Sequence, residues 1–122
     1  MPKKLKEASY IHAEAFACGE LKHGVISLIE QGTPCTVLAD NLKYKADSLS
    51  SAEEVKARGG YIIGIAPFES EVFDYHVRVP DAGRLTCFAN IIAGQMLAYF
   101  LSLVRGADPD KPRNLAKSVT VK

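Results

Sequence analysis

Apolar residues along the chain switch between two spacings, and the switches mark out the elements. Leu5, Ala8, Ile11, Ala15 and Phe16 recur at near-helical intervals among good helix formers, which predicts a helix over residues 4–17 that Cys18-Gly19 ends. Val25, Ile26, Leu28 and Ile29 predict a shorter helix over residues 22–30, stopped by Gly32-Thr33-Pro34. Residues 35–39 then form a short, largely apolar run between Pro34 and Asp40-Asn41, the pattern of a parallel strand buried on both faces. Residues 41–58 turn to Lys, Ala, Glu and Ser with Leu42, Leu49 and Val55 as apolar anchors, predicting a surface helix broken near Ser48 and closed by Gly59-Gly60. Ser51 and Glu54 have the spacing of a capping box. Residues 61–66 predict a second buried strand, residues 74–79 alternate like a strand with one wet face, and residues 85–104 form one long helix ended near Gly106.

Strands and helices in this order predict an α/β fold, a parallel sheet flanked by helices with right-handed crossovers. Three strands make a small sheet, so the pattern implies an incomplete one. The 122 residues, 48% hydrophobic and 24% charged, fit one domain that holds together without disulfides or a structural metal. A net charge of +1 and basic residues not interleaved with aromatics give nucleic acid no support as a partner. Residues 85–104 lack charge and reach the length of a membrane span, but Thr86, Asn90, Gln95, Ser102 and Gly94 raise its cost of transfer. A buried or interface helix is expected there, and no membrane.

Cys18, Cys35 and Cys87 are an odd number at wide spacing, which fits reduced thiols and a cytoplasmic location. No apolar h-region follows Lys3 and Lys4, so no secretion signal is expected. His12-Ala13-Glu14 followed by Pro34-Cys35 lacks the second cysteine of a zinc deaminase, and a metal site is not expected. Dinucleotide fingerprint, P-loop and nucleophile elbow are all missing. Three places carry candidate chemistry. Glu7 lies beside Lys4 and Lys6, and taken alone it is a surface carboxylate or one toward which lysines steer an anion. The run Gly19-Glu20-Leu21-Lys22-His23-Gly24 is a solvated corner or a site where glycines admit a ligand to a proton-carrying His23. The tail from Asp108, opened by two prolines, either frays or docks Leu115, Val119 and Val121 and carries Lys117 into a cleft.

Taken together, the run from Leu5 through Lys6-Glu7-Ala8-Ser9-Tyr10-Ile11-His12-Ala13-Glu14 to Ala15, the run Gly19 to Gly24, Arg58-Gly59-Gly60 and the tail Pro112-Arg113-Asn114-Leu115-Ala116-Lys117-Ser118-Val119-Thr120-Val121 carry a resemblance. The chain resembles, over nearly all its length, the C-terminal sugar isomerase (SIS) lobe of the glutamine-fructose-6-phosphate aminotransferases, the glucosamine 6-phosphate synthase family. The resemblance implies an SIS-type parallel sheet with flavodoxin-like layering. Residues 1–107 then form a partial second SIS lobe, and residues 108–122 an extended tail closing the sugar-phosphate site.

The implied activity converts fructose 6-phosphate and glutamine-derived ammonia to glucosamine 6-phosphate by ketose-aldose isomerisation, with no metal or organic cofactor. By the same resemblance Glu7 moves a proton between C1 and C2. His23 opens the sugar ring and is lent by the neighbouring subunit of a homodimer, while Lys117 attends the open-chain carbonyl. Ala116 supplies a backbone contact, and Lys4 lies near the sugar hydroxyls.

Val25 stands where the family often has proline, and Lys122 where an acid is common. The first SIS lobe with its phosphate-holding loop and the glutaminase are not in this chain, so little turnover is expected from it alone. A non-catalytic sugar-phosphate-binding or assembly SIS module is the competing expectation, against which Glu7 and Lys117 argue because pure binding needs no proton-transfer carboxylate.

Overall fold

The computed structural model describes residues 1–40 and 42–113, with Leu42 as backbone only. Ala116 and Lys117 lie outside the described residues. The chain forms two compact units, one of Phe16–Ala93 and one joining Met1–Ala15 to the described residues from Gly94.

The first unit holds the sheet. Strands β1 (Pro34–Leu38), β2 (Tyr61–Ala66) and β3 (Tyr75–Arg78) run parallel in the order β1-β2-β3. Cys35 pairs with Ile62, and Gly64 with His76. The parallel sheet is as the apolar runs predict, and β2 at its centre is the buried strand: Ile62, Ile65 and Ala66 are at most 1% exposed. In contrast, β1 is half-buried with exposed ends, although its sequence predicts burial on both faces. It has a neighbour on one side only among the described residues, and its apolar run therefore lacks cover.

The crossover from β1 to β2 carries α2 (Lys45–Lys56), entered through a 3-10 turn over Leu42–Tyr44. Neither the break near Ser48 nor the capping box forms. Ser48 is 6% exposed inside a continuous helix, and Ser51 and Glu54 lie within it while its N-terminus falls at Tyr44. Ala52 and Val55 pack with Ile62 and Val72 into the core, against which Leu21, Ile29, Val37, Leu49 and Phe73 rest. At the helix end Gly59 takes φ +90, a conformation that L side chains rarely adopt.

From β2 to β3 the chain has only residues 67–74, fewer than the dozen or so that a parallel crossover ordinarily takes. This crossover is an extended strap without a helix, and three devices hold it against the sheet. Val72 enters the core. The Phe73 ring lies on Gly64, where a Cβ would collide with it. Lys56 Nζ donates to the carbonyls of Val72 (2.9 Å) and Glu71 (3.3 Å) and stands 3.1 Å from Asp74 Oδ1. Asp74 then starts the β3 ladder, its other carboxylate oxygen accepting the Ile62 N–H at 2.7 Å and its own N–H donating to the Ile62 carbonyl at 2.9 Å.

The long helix α3 spans Thr86–Val104 after a 3-10 turn over Gly83–Leu85. Its buried positions are Thr86, Asn90, Gly94, Ala98 and Ser102, a narrow stripe of small and polar residues four apart. Its large apolar residues face outward: Phe88, Ile91, Ile92, Met96, Phe100 and Leu103 are 47–61% exposed. A helix buried all round is therefore not what forms. The segment Gly83–Val104 is long and apolar enough to cross a bilayer by length and composition.

Two outcomes test the strap. Gly64→Ala drives a methyl into the Phe73 ring and is expected to lower stability by about 2 kcal/mol in urea unfolding, the usual scale for overpacking a core. The Ile62 N–H and the Lys56 ammonium hold the Asp74 carboxyl below its ordinary range. A carboxyl lowered in the folded state stabilises it above the unfolded value of about 4 and loses that contribution as pH falls through the folded value. Stability measured from pH 6 to pH 2 should therefore decline less steeply in Asp74→Asn than in the parent chain.

Candidate functional site

The second unit begins with α1 (Pro2–Lys4), whose proline presets the first helical φ. The chain continues as a π-helical turn over Leu5–Ser9 and stops at Tyr10, which takes the left-handed conformation with φ 56 and ψ 26. The helix predicted over residues 4–17 thus ends eight residues early, at Ser9. Tyr10 reverses the backbone twist, and beyond it Ala15 and Phe16 stay exposed with no apolar surface to reward a further helical turn. Leu5 and Ser9 are the buried residues of the turn, and the Ser9 hydroxyl donates to the Leu5 carbonyl at 2.7 Å. π-Helical turns are rare and gather at functional sites, where they push a side chain outward from the regular spiral.

Glu7 lies on this turn, half-buried. Lys4 Nζ donates to Glu7 Oε2 at 3.4 Å, with the two side chains 61% and 39% exposed. The structure thus brings together two of the residues singled out in the sequence, a carboxylate and a cation three positions apart. A pair this exposed contributes little to stability and leaves the carboxylate free to exchange its partner for a ligand.

Tyr10 is the residue that sequence reasoning missed. A non-glycine residue in the left-handed region costs about 1–2 kcal/mol. Here its side chain is held from across the chain: the phenol oxygen accepts the Arg113 N–H at 2.6 Å, and the Arg113 guanidinium stands 3.9 Å from the ring centre. A cation over an aromatic face contributes about 0.5–2 kcal/mol, comparable to the backbone cost. The partners are 103 residues apart in sequence, and no local spacing reveals them.

His23 belongs to the other unit. It sits exposed on a corner between 3-10 turns over Cys18–Glu20 and Val25–Leu28, its N–H donating to the Glu20 carbonyl at 3.1 Å. The helix predicted over residues 22–30 reduces to these turns because Gly24 takes φ +123 and Leu28 is 71% exposed. Among the described residues no cluster of three His, Cys, Asp or Glu side chains is placed to hold a metal ion. Burial raises the Cys35 thiol above its ordinary range, so that thiol stays protonated at neutral pH.

The SIS domain family matches residues 1–73. The chain belongs to the SIS domain family. It is 48% identical over 122 residues to the glutamine-fructose-6-phosphate aminotransferase [isomerizing] of Fusobacterium nucleatum and 48% identical over 121 residues to that of Thermococcus kodakarensis. Each match takes in 97% of this chain and 20% of the relative, so the chain spans about a fifth of the length of these relatives. Among solved structures, the C-terminal domain of glucosamine-fructose-6-phosphate aminotransferase from Francisella tularensis superposes with a TM-score of 0.77 at 33% identity, over 90% of this chain and 32% of that one. The tagatose-6-phosphate ketose/aldose isomerase of Escherichia coli shares the fold, with a TM-score of 0.74 at 23% identity over 90% of this chain and 33% of that one. The SIS-type parallel sheet implied by the sequence is thus established.

The buried bond from Ser9 shapes the turn that presents Glu7. Ser9→Ala removes it and is expected to lower stability by about 1 kcal/mol, read as a lower urea midpoint.

Proposed function

We propose that this chain supplies the C-terminal SIS lobe of a glucosamine 6-phosphate synthase, acting on fructose 6-phosphate and ammonia. The observation that carries this reading is 48% identity to the aminotransferases over 97% of the chain. Residues 1–107 are the partial second lobe, and residues 108–122 are the tail that closes over the sugar phosphate.

The overall conversion replaces the C2 carbonyl oxygen of the ketose with an amino nitrogen, releases water and leaves the carbonyl at C1. A proton must therefore leave C1 and another must arrive at C2. Glu7 does this work as a carboxylate that accepts the first proton and returns one, a task to which a half-buried carboxylate on a fixed turn is suited. Its partner Lys4 turns to the sugar hydroxyls when substrate enters. Loss of the C1 proton from the C2 imine leaves an enolamine that is protonated at C2, and the Lys117 ammonium stabilises the negative charge that develops as the proton leaves, while the backbone at Ala116 adds a contact. The exposed corner fits His23 to serve a second copy's site, opening the sugar ring there, so that a homodimer completes each half-site. The chemistry asks for no cofactor. Three unpaired thiols fit a reducing cytoplasm.

The test measures solvent deuterium entering the sugar phosphate when the chain is combined with the first SIS lobe in D2O. Glu7→Gln should reduce exchange by about 10²–10⁴-fold, the usual contribution of a general acid-base group, while saturable binding of glucosamine 6-phosphate persists. Undiminished exchange in Glu7→Gln would falsify the assignment.

A further inference from the structure

We infer that Ser9 is a positioning residue whose buried hydroxyl holds the wide turn over Leu5–Ser9 in the shape that aims the Glu7 carboxylate at the sugar. The inference rests on the proton-transfer role given to Glu7 above. Ser9 is 0% exposed, and at a fully buried helical position alanine is the ordinary choice, being a better helix former with no polar atom to take out of water. A hydroxyl there needs a task. Ser9 Oγ donates at 2.7 Å to the carbonyl of Leu5, four residues back, which is the acceptor that an α-helix assigns to the amide of the same residue. A serine bonded in this way competes with the regular ladder and bends it, and the ladder here is the wider π form.

Both ends of the turn are fixed, so it cannot slide along the chain. Pro2 sets the first helical φ of α1, which runs straight into the turn, and the left-handed backbone of Tyr10 stops it directly after Ser9. Within the turn Leu5 and Ser9 are the buried residues, four apart on one edge, and Glu7 lies midway between them. Residues two apart in an α-helix stand about 200° apart around the axis, and a turn that holds more residues brings that angle toward about 180°. Glu7 is thereby set opposite the buried edge, on the side where Lys4 Nζ meets its Oε2 at 3.4 Å. Ser9 is itself shut away from any ligand, so its effect on the chemistry passes through Glu7.

The experiment is the deuterium exchange measurement with the first SIS lobe, run on the full chain at a temperature where unfolding curves show each variant folded. Ser9→Ala should lower the maximal exchange rate by about tenfold to a hundredfold, the scale of a reacting group misplaced by an ångström, with half-saturation by glucosamine 6-phosphate little changed. Ser9→Thr keeps the hydroxyl and should recover most of the rate. On top of Glu7→Gln, Ser9→Ala should cost nothing further, because residues that act as one unit are not additive. An unchanged rate in Ser9→Ala, a folded Ser9→Thr no faster than Ser9→Ala, or an equal further loss on top of Glu7→Gln overturns the inference. Should the parent chain show no exchange, or Glu7→Gln leave it undiminished, the proton-transfer reading fails. Ser9 is then decided in the ligand-free chain by the side-chain couplings of Glu7 in NMR spectra. One rotamer must dominate in the parent and in Ser9→Thr and average out in Ser9→Ala, and averaging already in the parent, or equal couplings in parent and Ser9→Ala, overturns it.

Discussion

A parallel strand cannot reach its neighbour through a tight turn, because the chain must first return to the end from which it started. In this protein the return from β2 to β3 is made by eight residues, 67–74, and the rest of the sheet unit is arranged around that short path. A strap with no helix has little apolar area of its own to bury, so it must lie close to the strands. Gly64 allows this by giving the Phe73 ring the space of a side chain. Lys56, at the end of the preceding crossover helix, then takes the carbonyls that a strap without a helix leaves unbonded. One crossover helix thereby secures the other crossover, which has none.

The strands were the legible part of the fold. Runs of Ile, Val and Ala between glycines and prolines mark β1 and β2 to within a residue, because a strand buried in a parallel sheet leaves an uninterrupted apolar signature. The N-terminal segment was misleading for a physical reason. Ile11, Ala15 and Phe16 continue the helical spacing of Leu5 and Ala8, but spacing describes what a helix would bury and says nothing about whether a surface exists to bury it against. The strain at Tyr10, maintained from residue 113, decided the outcome there. For α3 the sequence showed an apolar helix but not its orientation, since the stripe turned inward is made of its smaller residues, Thr86, Asn90, Gly94, Ala98 and Ser102.

The candidate site was legible only through likeness to relatives. Glu7, His23, Lys4 and Lys117 are ordinary polar residues by composition, and each has a bland reading as part of a solvated face. What the structure adds is local: a π-helical turn that singles out Glu7, a cation beside it, and an exposed corner that offers His23 to solvent. The tail residues Ala116 and Lys117 lie outside the described residues, so their part depends on the likeness and on where Arg113 is fastened.

That fastening has a consequence for the order in which the molecule matures. The Tyr10 to Arg113 contact closes a ring of 103 residues, almost the whole chain. Closing so long a ring in an unfolded chain is entropically unfavourable and gains nothing until the intervening segments have compacted. The clasp therefore closes late, and a chain that is truncated or trapped halfway through folding lacks it. A contact fastened across 103 positions is thus a mark of completed folding in everything between them.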